Sequence, residues 1–235
     1  ARQALEHVRT RESPLGNLIA DAIREATHAD VAIINGGGIR SSIEQGPITF
    51  GSVFKTLPFD NAVVIIDVKG SELRKILQVA ESGSRSFASV SGVQLKIMDD
   101  LHDAKSKDLN HDGRTDPWEY DMLLDVKTSD GKALSDKKIY RLATIDFLTS
   151  GGDDWAWPMS QIPKERFHFE GMPLVRDVFV DFVKAHPQLP SPQFPGLDPA
   201  KPRFQFVKAA KKGGKRARSA RGGKKRRRGA TNAGF

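Results

Sequence analysis

The sequence predicts one domain of the α/β (α+β) class, with a mixed β-sheet flanked by helices and a basic tail after it. Three observations support this prediction. Apolar residues recur at helical spacing in several stretches, short runs rich in Val and Ile lie between these stretches, and Gly, Pro, Asp and Ser separate the two kinds of segment. Helices that alternate with short apolar strands are typical of a sheet covered by helices.

The individual elements follow from local patterns. The first helix begins after Ser13-Pro14 and buries a face that includes Leu15, Leu18 and Ile19, and the last helix begins at Pro173. Between and after them we predict a strand over 31–34, a short helix capped by Thr49, a strand over 62–68, a helix capped by Ser71, strands over 93–97, 120–127 and 139–145, and an edge strand over 204–206. Residues 82–91 and 147–154 are predicted to be loops.

The chain has 235 residues, no cysteine and no apolar run long enough to span a bilayer. Disulfides, thiolate metal sites and thiol catalysis are therefore excluded. The sequence opens on Ala1 without a signal-peptide pattern, so we expect a removed leader or a longer polypeptide. We assign residues 1–10 to a connector, 11–207 to the domain, with an insertion over 99–119, and 208–235 to a tail.

The net charge of +8 arises from the tail alone. Residues 208–235 carry 12 Lys and Arg and no acidic residue, so the other 25 basic residues face all 29 acidic ones and residues 1–207 carry a net charge of −4. A segment of this composition cannot bury a core and is predicted to be disordered. It could attach to an anionic surface such as nucleic acid or a membrane, or it could be a solvated extension.

The most informative stretch is the glycine turn, residues 35–40 (Asn-Gly-Gly-Gly-Ile-Arg), which follows the strand over 31–34. Three consecutive glycines suit close approach of the backbone to a ligand, with exposed N–H groups at positions such as Gly37. Asn35 offers a donor and an acceptor, and Arg40 offers a permanently charged fork of donors. The alternative is a tight strand-to-helix turn that binds nothing.

Two other loops lie next to predicted central strands, where ligands usually bind in α/β sheets. One carries Phe59 and Asp60, and the other carries Phe147 and Asp153. Phenylalanines in such loops often fill the core. Two of them, with Arg and Asp nearby, instead fit a stacked base whose ribose hydroxyls reach a carboxylate.

These segments resemble the C-terminal domain of the 5′-nucleotidase family, which includes periplasmic UDP-sugar hydrolases and surface enzymes that hydrolyse AMP. The likeness covers about residues 9–185 and has four separate parts. They are Arg11-Glu12-Ser13-Pro14-Leu15-Gly16-Asn17, the glycine turn, Leu57-Pro58-Phe59, and Phe147-Leu148 with Gly151-Gly152-Asp153. One departure is Asp154-Trp155, where the family commonly has a glycine after the Asp; another is the insertion after Met98.

The resemblance implies a role for each matched residue. Phe59 and Phe147 would sandwich the base and Asn35 would touch its edge. Asp153 would accept hydrogen bonds from the ribose hydroxyls. Arg11 and Arg40 would hold ribose or phosphate oxygens.

In this family a separate N-terminal metallophosphoesterase domain hydrolyses the phosphate ester at a dimetal centre of Zn or Mn type. Such a centre needs clustered His, Asp and Asn ligands. The six histidines, none in a metallophosphoesterase motif, are His7, His28, His102, His111, His168 and His186. We therefore expect no catalytic residue in this chain. It would bind nucleotides, hydrolyse none, and present them to an N-terminal domain outside it.

The insertion contains a twelve-residue segment that matches the EF-hand calcium loop at every side-chain ligand position. The predicted ligands are Asp108, Asn110, Asp112, the carbonyl of Arg114, Asp116 through water, and Glu119. The hard oxygen donors favour Ca²⁺. The flanks are not two amphipathic helices, and a solvated acidic surface loop is the alternative.

Two functions remain open at this stage. The first is the nucleotide-recognition domain of a secreted 5′-nucleotidase-type enzyme, periplasmic or extracellular, acting on AMP, UDP-sugars, cyclic nucleotides or NAD. The second is a stand-alone module, without catalysis, that binds nucleotides or polyanions.

Overall fold

A computed structural model describes residues 1–82, 87–99, 104–169, 171 and 173–208. The helices are α1 (Pro14–Thr27), α2 (Phe50–Thr56), α3 (Gly70–Ser82), α4 (Asp146–Thr149), α5 (Ala156–Ser160) and α6 (Val175–Ala185). The strands are β1 (Val31–Asn35), β2 (Val63–Lys69), β3 (Ala88–Ser91), β4 (Val93–Met98), β5 (Leu123–Thr128), β6 (Ile139–Ile145), β7 (Phe167–His168) and β8 (Phe204–Val207). The predicted α/β class with a mixed sheet is confirmed.

The larger sheet has five strands in the order β3-β1-β6-β2-β7. β1 runs parallel to β6, and the other neighbours in this sheet are antiparallel. All five residues of β1 are buried, which agrees with its continuous apolar sequence. Ser13 caps the N-terminus of α1, where its side chain accepts a hydrogen bond from the Gly16 N–H, and α1 packs against β1 and β3.

The remaining strands form a second sheet of three, in the order β5-β4-β8, with β8 parallel to β4. The sequence predicts a single sheet, but the structure has two. The chain passes from the first sheet to the second at Gly92, which lies between β3 and β4. This glycine has φ +85°, and a side chain here would overlap the Asp30 carbonyl. The chain therefore turns sharply and leaves the first sheet for the second. The predicted edge strand over 204–206 is confirmed as β8.

β3, like α4 in the predicted loop over 147–154, is an element that the sequence prediction assigned to a loop. Its residues, Ala-Ser-Val-Ser, are small, yet all are buried. α1 lies so close that a Cβ at Gly16 would overlap the Ser89 side chain, and Ser91 donates a hydrogen bond of 2.6 Å to Asp21 of α1. Small residues are needed here because the helix packs directly on the strand, and small residues give no strand signal.

Both ends of the described chain pack on the domain. Residues 1–10, predicted to be a connector, include Leu5, which is fully buried and forms a bridge with Ile43. After α6, Leu189 and Phe194 are buried and the chain continues into β8. Residues 209–235 of the predicted tail and 100–103 of the insertion lie outside the described residues. Within the described part, no helix is long and apolar enough to cross a membrane.

Candidate functional site

Three loops meet in a cleft of about 250 Å³ at one edge of the larger sheet. Because β1 and β6 are parallel, Asn35 at the end of β1 and the α4 segment after β6 lie at the same edge. β2 is antiparallel to β6, so the residues before β2 lie there too. The cleft is lined by Arg9, Asn35, Gly37, Gly38, Phe59, Asn61, Phe147 and Asp153.

Two phenylalanine rings line this cleft. Phe59 is 48% exposed and Phe147 is 42% exposed, although both residues are large and apolar. Neither ring fills the core, which was the alternative interpretation of the sequence. The Arg40 guanidinium carbon lies 6.0 Å from the Phe59 ring centroid, within the range of a cation–π contact.

An amide–carboxylate pair also lines the cleft. Asn35 Nδ2 donates a 2.6 Å hydrogen bond to Asp153 Oδ2, across 118 positions of sequence. Because a carboxylate only accepts, this bond orients the amide. Asn35 is 4% exposed, and its Oδ1 is buried without a hydrogen-bond partner in the described structure. A buried acceptor without a donor costs about 1–3 kcal/mol, so Asn35 is the residue here that a donor would stabilise most.

The loop that carries Asp153 has an unusual backbone. Gly151 has φ +98°, Asp153 has φ +51° and Asp154 has φ +72°, all in the left-handed region. Two consecutive non-glycine residues in this region store backbone strain, and such strain concentrates at binding sites. Asp154, which departs from the family pattern, thus adopts a conformation that glycine would adopt more easily.

The cationic residues differ partly from the prediction. Arg9 lines the cleft, whereas the predicted Arg11 and Arg40 are not among the lining residues. The Arg9 carbonyl accepts a 2.8 Å hydrogen bond from the Phe87 N–H, which fixes the backbone at that position. Arg40 Nη1 donates to the Gly37 carbonyl at 3.2 Å. Arg11 was selected because it begins the matched motif, whereas Arg9 lies two residues before that motif. Asn61 was also missed.

The acidic loop of the insertion is folded by its own hydrogen bonds. The Asp108 carboxylate accepts from the N–H groups of Asp112 and Gly113, at 3.2 and 3.0 Å. Glu119 is 2% exposed and accepts from the N–H groups of Leu109, Asn110 and Asp116. One Glu119 oxygen thus caps the 3₁₀ turn Pro117–Glu119, and the other already accepts from the loop backbone.

The residues described do not fit a dimetal phosphoesterase centre. No group of three or more His, Asp or Glu side chains among them is arranged to hold a metal ion. The cleft itself contains one carboxylate and no histidine. No catalytic step through a metal can therefore be derived from this part of the chain.

The fold is an α/β domain whose cleft has two aromatic walls, an amide–carboxylate pair and one arginine in its lining. The family model described as "5′-nucleotidase, C-terminal domain" matches residues 1–160, and the chain belongs to this family of 5′-nucleotidase hydrolases.

Individual relatives agree with this membership. UshA of Escherichia coli K12 is 35% identical over 156 residues, which are 64% of this chain and 24% of UshA. The trifunctional nucleotide phosphoesterase YfkN of Bacillus subtilis is 33% identical over 159 residues, 64% of this chain and 10% of YfkN. A 5′-nucleotidase precursor from Thermus thermophilus has a TM-score of 0.69 and 27% identity, over 89% of this chain and 39% of its own. The chain thus spans a quarter or less of these two curated relatives.

Proposed function

We propose that this chain is the nucleotide-recognition domain of a 5′-nucleotidase-type phosphohydrolase of nucleotide catabolism. One observation carries the proposal: two half-exposed phenylalanines, Phe59 before β2 and Phe147 in α4, line one cleft together with the Asn35–Asp153 pair. Aromatic faces bind flat bases, and polar groups at fixed positions orient them.

Each part of the cleft has a role in this proposal. Phe59 and Phe147 hold the base between them, and Asn35 meets its edge. Asp153 accepts from the ribose hydroxyls, a 5′-phosphate lies towards the guanidinium groups of Arg9 and Arg40, and the N–H of Gly37 faces the ligand. Arg11, which the motif predicts as a ligand contact, does not line the cleft. It would have to move towards the ligand to bind the phosphate.

Hydrolysis is assigned to another part of a longer polypeptide. In this proposal an N-terminal metallophosphoesterase domain supplies the Zn or Mn centre, and this chain presents the ester to it. We also propose that the whole protein acts in the periplasm or outside the cell. The segment encoded before Ala1 distinguishes this proposal from a stand-alone binding module.

Calorimetry with the 235-residue chain tests the proposed function. Adenosine and AMP should bind with one-to-one stoichiometry, AMP more tightly because of its phosphate, and ribose 5-phosphate should bind at least about tenfold more weakly than AMP because it has no base to stack. UDP-glucose, cyclic AMP and NAD in the same titration rank the substrate classes. The chain with added Mn²⁺ should release no phosphate from AMP. No binding of any nucleoside at millimolar concentration, or clear AMP hydrolysis, would contradict the proposal.

We further propose that the acidic loop binds Ca²⁺ as a structural ion. The loop already gathers the Asp108, Asn110 and Asp112 side chains in one turn, since Asn110 Nδ2 donates to Asp112 Oδ2 at 3.0 Å. Binding would require Glu119 to exchange its N–H partners for the metal. Such loops outside cells bind Ca²⁺ with a Kd of about 0.1–1 mM.

Terbium luminescence sensitised by Trp118, which lies inside the loop, measures this binding. We expect a signal that Ca²⁺ displaces at millimolar concentration and that Asp112→Asn abolishes. Asp130→Asn, in a turn outside the loop, is the matched control and should leave the signal unchanged. If the protein gives no terbium signal and no heat with millimolar Ca²⁺, the proposal is contradicted. The segment is then a solvated acidic surface loop.

A further inference from the structure

His7 links the glycine turn to the start of α1. Its Nε2 lies 3.0 Å from the Gly36 carbonyl oxygen and its Nδ1 lies 3.4 Å from Ser13 Oγ. A carbonyl only accepts, so Nε2 carries the proton in the neutral ring and Nδ1 accepts from the Ser13 hydroxyl. Ser13 is the N-cap residue of α1. The imidazole therefore connects the glycine turn, which borders the cleft, to the N-terminus of α1.

Gly36 is held on both of its backbone polar groups. Its N–H donates to the Phe87 carbonyl at 3.0 Å, and its carbonyl accepts from His7. A Cβ at this position would lie 2.5 Å from the Phe87 oxygen, so the backbone has no room to shift towards it. Gly36 lies between Asn35 and Gly37, which both line the cleft. His7 therefore helps to fix the position of the glycine turn.

Two cationic groups act on the His7 imidazole. Burial of the ring lowers the pKa of His7; the hydrogen bond with the Gly36 carbonyl raises it, and the nearby Arg9 and Arg40 lower it further. Arg9 is on the same segment as the ring, and Arg40 is the last residue of the glycine turn. Ser13 and Ser42, which bond the imidazole and the main-chain N–H of His7, are neutral. Burial and the two guanidinium groups thus favour the uncharged form of the ring by lowering its pKa.

We propose that His7 is a positioning residue for the glycine turn and takes up a proton when an anionic ligand group binds near Arg9 and Arg40. This inference rests on the proposed function, because it concerns the phosphate end of the same cleft. The anion offsets the repulsion between the guanidinium groups and a charged imidazole. The protonated ring keeps its Nε2–H bond to Gly36, and its Nδ1–H then donates to Ser13 Oγ, so the turn keeps its shape.

The sign of the pH dependence follows from linkage. The anion-bound state holds more protons than the free state, so affinity for an anionic ligand rises as the pH falls through the interval between the bound and the free pKa of His7. Without a bound anion, the pKa of His7 lies below its ordinary value of 6.5. An uncharged nucleoside does not change the charge near His7, and its affinity should be independent of pH in the same interval.

Adenosine 5′-sulfate is the probe, because its ester carries one negative charge throughout and does not titrate, unlike a phosphate with a pKa near 6. Its Kd and that of adenosine are measured by calorimetry from pH 5.5 to 8 with the 235-residue chain, His7→Gln and His168→Gln. In the wild type and His168→Gln, affinity for the sulfate ester should rise about three- to tenfold towards low pH, the size expected for a pKa change of up to one unit. The His7→Gln amide still donates to Gly36 but does not titrate, so this variant should lose the pH dependence.

Three outcomes distinguish the possibilities. The same pH dependence in His7→Gln as in the wild type would overturn the inference and leave the proposed function intact. Binding of neither ligand by the wild type would overturn the proposed function itself. If His7→Gln does not fold, the His7 ring NMR signals of the wild type decide: a higher pKa with the sulfate ester than with adenosine supports the inference, and an equal pKa overturns it.

Discussion

Phe59→Ala and Phe147→Ala should each weaken adenosine binding by roughly tenfold to a hundredfold, since stacking of a base on an aromatic ring contributes about 1–3 kcal/mol. Both rings are about half exposed on separate loops, so their removal should change the stability of the domain little. The double variant should bind adenosine too weakly for calorimetry. Measurements of Kd and of urea unfolding on the same samples separate the loss of binding from a loss of folding.

Two controls make this prediction specific to the cleft. Phe50→Ala removes a ring that is 61% exposed on α2 and does not line the cleft, so it should leave adenosine affinity unchanged. Gly152→Ala keeps both rings, but its methyl group would overlap the Phe147 ring and move it. This variant should weaken binding while the fold remains stable. An unchanged affinity in both Phe59→Ala and Phe147→Ala would contradict stacking as the mode of recognition.

The candidate site was largely predictable because its residues lie where strands end. Asn35, Phe59, Phe147 and Asp153 could be selected from turn chemistry, adjacency to apolar runs and the family resemblance, and the structure brings all four into one cleft. It was not predictable that Arg9, which precedes the matched motif, would line the cleft in place of Arg11. This placement depends on the hydrogen bond between the Arg9 carbonyl and Phe87, a contact 78 positions away that no local pattern encodes.

The fold shows a similar division. Helices with a clear apolar face and strands rich in Val and Ile were predicted correctly, because burial of one face or of a whole run dominates their sequence. β3 and β7 were missed because the former is built of small residues and the latter has only two residues. The separation into two sheets depends on a positive φ at Gly92 and on packing against Asp30, which are tertiary constraints.

Asp21→Ala should destabilise the domain by about 3–5 kcal/mol, the usual cost of removing one partner of a buried ion pair. Asp21 Oδ2 accepts a 2.7 Å hydrogen bond from Arg203 Nη2, and the two side chains are only 8% and 17% exposed. Arg203 also donates to the backbone carbonyls of Asn17 and Val90. The substitution would leave a buried guanidinium without a counter-charge, and urea unfolding followed by circular dichroism measures the loss.

This ion pair also reports on the extent of the domain, because Arg203 lies beyond residue 160, where the match to the family model ends. Asp181→Ala, which breaks an exposed pair with Lys184, is the control and should change stability by less than about 0.5 kcal/mol. Combining Asp21→Ala with Arg203→Met should recover part of the stability, because the unpaired charge is removed. If Asp21→Ala unfolds at the same urea concentration as the wild type, β8 and the segment leading to it do not unfold cooperatively with the rest of the domain. If the loss is large and partly recovered, the C-terminal segment folds together with α1 and the sheet that positions the cleft.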